Sequence, residues 1–141
     1  LMAYLCGLLI GLERQYHGAS VGIRTYSLVC LGACLYALVS THAQGAAYYH
    51  SVVDPTRIAA QIVTGVGFIG GGIIFKDKDR VRGITTAATL WVVSAIGVGI
   101  AFEMYLLALI TTIIVLFTLF LNQLSINKKI HDHGQKTTNH D

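Results

Sequence analysis

Residues 54–90 read DPTRIAAQIVTGVGFIGGGIIFKDKDRVRGITTAATL. The apolar run Ile58–Phe75 approaches the roughly 20 residues a helix needs to cross a bilayer. It opens on Asp54-Pro55-Thr56-Arg57, carries Gln61 and Thr64, and is crowded with Gly65, Gly67, Gly70, Gly71 and Gly72. A basic knot follows from Lys76 to Arg82, and Thr85 and Thr86 open the next apolar run. Charge at both mouths, polar groups at helical spacing and glycines between them describe a membrane helix packed against others.

The rest of the chain has the same character. Of 141 residues, 54% are hydrophobic and 12% charged, with a mean hydropathy of +0.63; soluble domains carry about 25% charged residues. Five apolar runs can be drawn: Leu1–Leu12, Tyr26–Thr41, Ile58–Phe75, Ile84–Phe102 and Met104–Leu121. They are continuous and do not alternate polar with apolar, which argues for helices over a barrel. A helix also satisfies its backbone hydrogen bonds within one segment, as lipid requires. The expected fold is all-α: a polytopic transmembrane bundle of about five spans over residues 1–121, with a polar, frayed tail over 122–141. Leu1–Leu12 covers about 18 Å of helix, and the pattern is already hydrophobic at Leu1, so this span is expected to begin upstream.

Lys and Arg set the orientation. They occur in the connection 13–24 (Arg14, Arg24), in the loop after Phe75 (Lys76, Lys78, Arg80, Arg82) and in the tail (Lys128, Lys129, Lys136). Segment 42–56 and the turn near Glu103 have none. The alternation places the N-terminus outside and the C-terminus in the cytoplasm, with Arg57 the exception.

Several patterns have simple readings. Cys6, Cys30 and Cys34 lie in apolar stretches and read as small buried hydrophobes. Gly7 and Gly11, and Ala33 and Ala37, are small-xxx-small pairs suited to helix contact. Asp54-Pro55 is a good helix start, with Asp as cap and Pro at the first helical position. Arg57, Gln61 and Thr64 share one face and are expected to turn into the bundle or a wet cavity, because lipid exposure is costly. Asp54 and Glu103 are the candidate partners of Arg57. Gly65-x-Gly67-x-x-Gly70 matches the dinucleotide fingerprint literally, but it lacks the strand and the βαβ unit that motif needs. The glycines read as a packing groove or as a local break exposing carbonyls. The alternating KDKDRVR (76–82) reads as a tight cytoplasmic turn that marks topology, or as a site for anionic lipid headgroups or a partner's acidic surface. Tyr48 and Tyr49 suit a membrane interface, and Trp91 suits packing within the bundle. Met104–Leu121 is expected to be the most lipid-exposed helix.

Catalytic chemistry is not indicated: there is no nucleophile–base pair and no Walker loop, so the chain reads as a non-enzyme without a cofactor. His42 with His50, and His131-Asp132-His133, are weak metal look-alikes. No acid lies at mid-membrane, so Mg²⁺ has no evident ligand set. The cations lie in loops between apolar runs, which argues against nucleic acid as a partner and for the lipid bilayer.

Four strings, GLERQ (11–15), GIRTYSLVCLGACLY (22–36), DPTRIAAQIVTGVGFIGGGIIF (54–75) and VRGITTAATLWVVSAIGVGI (81–100), resemble the MgtC/SapB family of bacterial inner-membrane proteins. The resemblance implies a multi-pass protein of the inner (plasma) membrane, linked to growth at low magnesium and, in pathogens, to survival inside macrophages. It implies regulation of other membrane proteins, notably the proton-translocating ATP synthase, with transport of Mg²⁺ or another ion as the alternative. Its virulence-factor members carry a soluble C-terminal domain, and functions resting on that domain are not expected of this short form. Matching motif positions make Glu13, Arg14, Arg24, Asp54, Arg57, Gln61, Arg82, Thr85 and Thr86 the candidate functional cluster. Gly65, Gly67, Gly70, Gly71 and Gly72 are the candidate packing surface for other membrane proteins or a second copy.

Overall fold

A computed structural model describes the backbone of residues 1–42, 54, 56–78 and 80–137, with side chains described as far as residue 121. Tyr48, Tyr49, His50, Pro55 and Asp79 lie outside the described residues, as do the side chains of His131, Asp132 and His133.

Among the described residues, five helices form where the apolar runs fall: α1 Met2–Tyr16, α2 Ile23–His42, α3 Thr56–Ile73, α4 Ile84–Ala101 and α5 Tyr105–Thr137. Two of them, α2 with 20 residues and α4 with 18, are long and apolar enough to cross a membrane. They are also the centre of the bundle. α1 packs on α2, α2 on α4 and α3, and α4 on α3 and α5.

Small residues bring these helices together. At Gly7 of α1, a Cβ would sit 2.6 Å from the Tyr26 carbonyl oxygen and 2.9 Å from Ser27 Cα of α2. One at Gly11 would sit 2.7 Å from Ile23 Cα. Gly97 of α4 lies directly against the Cys30 carbonyl and Ala33 of α2. Without a hydrophobic force between helices in lipid, such close approach supplies the van der Waals contact that holds them. Ile10, Tyr26, Cys30, Leu90 and Val93 are buried at the α1–α2–α4 junction, and all three cysteines are buried free thiols.

The peripheral elements differ more from expectation. Residues 76–82 are not a simple turn. Phe75–Asp77 (β1) and Arg80–Arg82 (β2) pair as an antiparallel hairpin with Lys76 opposite Val81. Lys78 at φ 52 helps make its tip, and Gly83 at φ 89 redirects the chain into α4. A side chain at Gly83 would run into the Ile73 carbonyl, so the exit from the hairpin requires glycine. Trp91 is not packed inside; it is 50% exposed on α4. Beyond Leu121 the backbone of α5 continues as helix to Thr137. Up to Leu121, α5 exposes Leu106, Ile113, Phe117 and Phe120 while burying Ala108, Thr112 and Leu119; α3 is no less exposed, with Val66 and Gly70 its buried residues.

Candidate functional site

Two polar groupings stand out, one inside the bundle and one outside it. The first forms at the hairpin-bearing end, where α1 finishes and α2 and α4 begin. Glu13 and Arg14 fall in the last turn of α1, with side chains only 14% exposed and Arg14 Nη1 3.8 Å from Glu13 Oε2. His17, one turn on, places Nδ1 3.2 Å from Glu13 Oε1 and 2.8 Å from the Glu13 carbonyl oxygen. Across the interface, the Tyr26 hydroxyl donates to the Thr86 carbonyl oxygen at 3.3 Å, and the Arg14 and Thr89 side chains lie beside it. Thr89 in turn donates to the Thr85 carbonyl at 2.7 Å. Polar groups from three helices therefore converge on one point. Arg14 Nε and Ser27 Oγ are buried there without a hydrogen-bond partner among the described residues. Such groups are ordinarily satisfied by water or an ion.

The connection from α1 to α2 supports this arrangement. Gln15 reaches over the turn, and its Oε1 accepts from the Ile23 backbone N–H at 3.3 Å, satisfying one of the free donors at the start of α2. Gly22 leaves room for that side chain, since a Cβ there would lie 2.6 Å from Gln15 Oε1.

The second grouping lies on α3. Val66 and Gly70 are its buried residues, with Gly70 facing Ala87 of α4. Arg57, Gln61, Thr64 and Phe68 are exposed, Phe68 at 86%. At 3.6 residues per turn they form a stripe turned away from the bundle. The stripe therefore does not turn into the bundle, although Gln61 at its edge borders the groove between α2 and α3. Close approach of Gly70 to α4 sets the rotation of the helix, and the period then carries Gln61 and Thr64 to the opposite side. Around the stripe, Gly65, Gly67, Gly71 and Gly72 have nothing within 4 Å of a Cβ position. α3 itself is unbroken from Thr56 to Ile73.

Asp54 caps α3: its Oδ1 accepts from the Thr56 backbone N–H at 2.9 Å and the Thr56 hydroxyl at 2.7 Å. These bonds, the hydroxyl first, hold the Asp54 carboxyl below its usual range, and the nearby Arg57 charge adds a little. Arg57 donates its backbone N–H to the Asp54 carbonyl at 3.4 Å, and its guanidinium forms no ion pair with Asp54 or Glu103 among the described residues. Arg24 is exposed at the first turn of α2. Arg82 pairs with Asp77 across the hairpin at 3.7 Å, both well exposed. The sequence-based cluster therefore divides: Glu13, Arg14, Thr85 and Thr86 come together, whereas Asp54, Arg57 and Gln61 belong to α3. Thr89 lies outside the sequence-based cluster although it follows Thr85 and Thr86 at the start of the same run, and Tyr26, Gln15 and Gly97 were not singled out. Tyr26 and Thr89 were legible only as polar residues at the starts of apolar runs.

Among the described residues, no three His, Cys, Asp or Glu side chains are placed to hold a metal.

The MgtC family description matches residues 1–127. YhiD of Escherichia coli K12, provisionally named a magnesium transporter, is 42% identical over 137 residues, covering 93% of this chain and 63% of that protein. Protein MgtC of Brucella abortus is 49% identical over 96 residues, 68% of this chain and 38% of that protein. Protein SrpB of Synechococcus elongatus is 37% identical over 127 residues, covering 84% of this chain and 70% of that protein. The chain thus spans less than two thirds of the length of the first two. No solved structure matches it.

Proposed function

The chain belongs to the MgtC family, and from that membership we propose that it serves magnesium homeostasis by regulating other membrane proteins through helix contacts. It does so as a non-enzymatic, multi-pass protein of the bacterial inner membrane, with the N-terminus outside and the C-terminus cytoplasmic. The observation that carries this reading is the outward stripe of α3. Arg57, Gln61 and Thr64 are exposed on the side opposite Val66 and Gly70. In hydrocarbon, intramembrane polar groups almost always face protein or water. A partner helix seated on this side would satisfy Gln61 and Thr64, and the adjacent glycines would let it approach closely. The partner is another membrane protein or a second copy.

Photo-crosslinking from position 64 or 68 in native membranes tests the proposal. A discrete crosslinked protein that disappears in Gln61→Leu supports it, and labelling of lipid alone refutes it. Asp54→Ala or Arg57→Ala should impair growth at low magnesium while leaving membrane insertion intact. Normal growth of both, at unchanged protein levels, refutes their assignment.

A second reading, transport of Mg²⁺ or another ion, draws on the buried cluster of Glu13, Arg14 and Tyr26. Glu13 offers a carboxylate there, but Mg²⁺ favours six oxygens in octahedral array, and Arg14 opposes a cation. Flux into liposomes holding the purified chain separates the two: Mg²⁺ uptake above that of empty liposomes favours transport.

A further inference from the structure

On the flank of α3 that meets α2, the structure opens a groove of about 630 Å³. Leu28, Gly32 and Tyr36 of α2 form one wall, and Gln61, Gly65 and Ile69 of α3 form the other. Gly32 and Gly65 make the space, because a Cβ at either would meet nothing within 4 Å. The lining residues recur every three or four positions from Thr25 to Tyr36, so the groove runs along α2 for about 16 Å. It is almost entirely apolar and open along its side.

Its two ends differ. Tyr26 touches Thr86, and the adjoining Ala87 faces Gly70, so the start of α2 is level with the last turn of α3. Thr25 and Ile69 therefore mark one mouth, beside Arg24 and just before the hairpin. Arg24, Lys76, Lys78 and Arg80 are exposed, and none has an ion-pair partner among the described residues. Among the described residues of the hairpin, Arg82 is matched by Asp77. The apolar groove thus opens at the end of the bundle that carries Arg24 and the basic hairpin.

We propose that this groove binds an anionic phospholipid of the surrounding bilayer, its acyl chain lying between α2 and α3 and its phosphate at Arg24 and the hairpin. The complementarity is that of an amphiphile. The chain fills the space the glycines leave, and the headgroup meets cations at the depth where a lipid headgroup lies. The site is separate from the outward stripe of α3, apart from Gln61 at their border. Its test does not depend on the partner of that stripe.

The full chain, purified in detergent, is equilibrated with equal amounts of phosphatidylglycerol and phosphatidylcholine of matched acyl chains, and retained lipid is measured by native mass spectrometry. Phosphatidylglycerol should be retained preferentially, and Arg24→Gln should reduce the preference roughly fivefold, as expected for one cation near an anionic headgroup. Gly65→Leu should remove retention of both lipids by filling the groove, while Gly67→Leu, on the same helix but outside the groove, should retain them. Gly32→Leu fills the same space from the opposite wall if Gly65→Leu fails to fold. Equal retention of the two lipids, or retention unchanged in both groove variants, overturns the proposal. So does a wild-type dimer that Gly65→Leu converts to monomer without changing bound lipid, because the groove then holds a second copy.

Discussion

The Tyr26 hydroxyl on α2 donates to the Thr86 carbonyl oxygen on α4 at 3.3 Å, joining the two central helices at the end where Arg14 is buried. A tyrosine there fills the junction with its ring and reaches a polar neighbourhood with its tip. Tyr26→Phe keeps the ring and removes the bond. It should lower stability in detergent by about 0.6 kcal/mol, the average for interhelical hydrogen bonds in a membrane protein. Denaturant titration followed by circular dichroism measures it. A variant as stable as wild type would mean that the bond contributes nothing net.

Gly7 and Gly67 are a matched pair. A Cβ at Gly7 meets the Tyr26 carbonyl oxygen at 2.6 Å, whereas one at Gly67 meets nothing within 4 Å. Gly7→Ala should therefore destabilise the fold by about 1–3 kcal/mol through overpacking, and Gly67→Ala should leave it unchanged or slightly more stable. Thermal unfolding of the two variants side by side checks the contrast.

Gly83 holds φ 89 with the Ile73 carbonyl against the position of its missing side chain. Gly83→Ala should cost about 1–3 kcal/mol from backbone strain, with an additional clash. Melting of the variant should be distinctly lower, while Gly72→Ala, at an open helical position, should melt near wild type.

Asp54 carries a pH dependence. Its carboxyl is held below the usual value chiefly by the Thr56 hydroxyl, then by the Thr56 N–H. A depressed folded-state pKa means that this capping stabilises α3 above the unfolded aspartate pKa and is lost as pH falls through the lower folded value. Carboxyl carbon NMR should show Asp54 titrating below ordinary aspartates, and Thr56→Val should move its midpoint upward. An unshifted midpoint in the wild type would contradict the cap.

Much of the architecture was legible in the sequence because length and hydropathy are local properties. Five helices fall on five apolar runs, and the small-xxx-small pair Gly7 and Gly11 lies at an interface. The hairpin was not legible: KDKDRVR carries charge but no strong strand propensity, and its pairing depends on where α3 stops and Gly83 turns. Trp91 was misplaced because the run around it is apolar on every side, leaving no periodicity to tell inward from outward. The convergence of Arg14, Tyr26 and Thr86 joins residues up to 72 positions apart, a distance no local pattern encodes.

By itself, the sequence determined that the chain is a helical membrane protein, where its helices fall and which family it resembles. These follow from residue-by-residue compatibility with lipid and with the helical period. Only the tertiary structure decided which way each helix faces. The period put Arg57, Gln61 and Thr64 on one side of α3, but the contact of Gly70 with Ala87 chose which side is inside. That contact lets two backbones approach, and in doing so it turns the polar stripe outward.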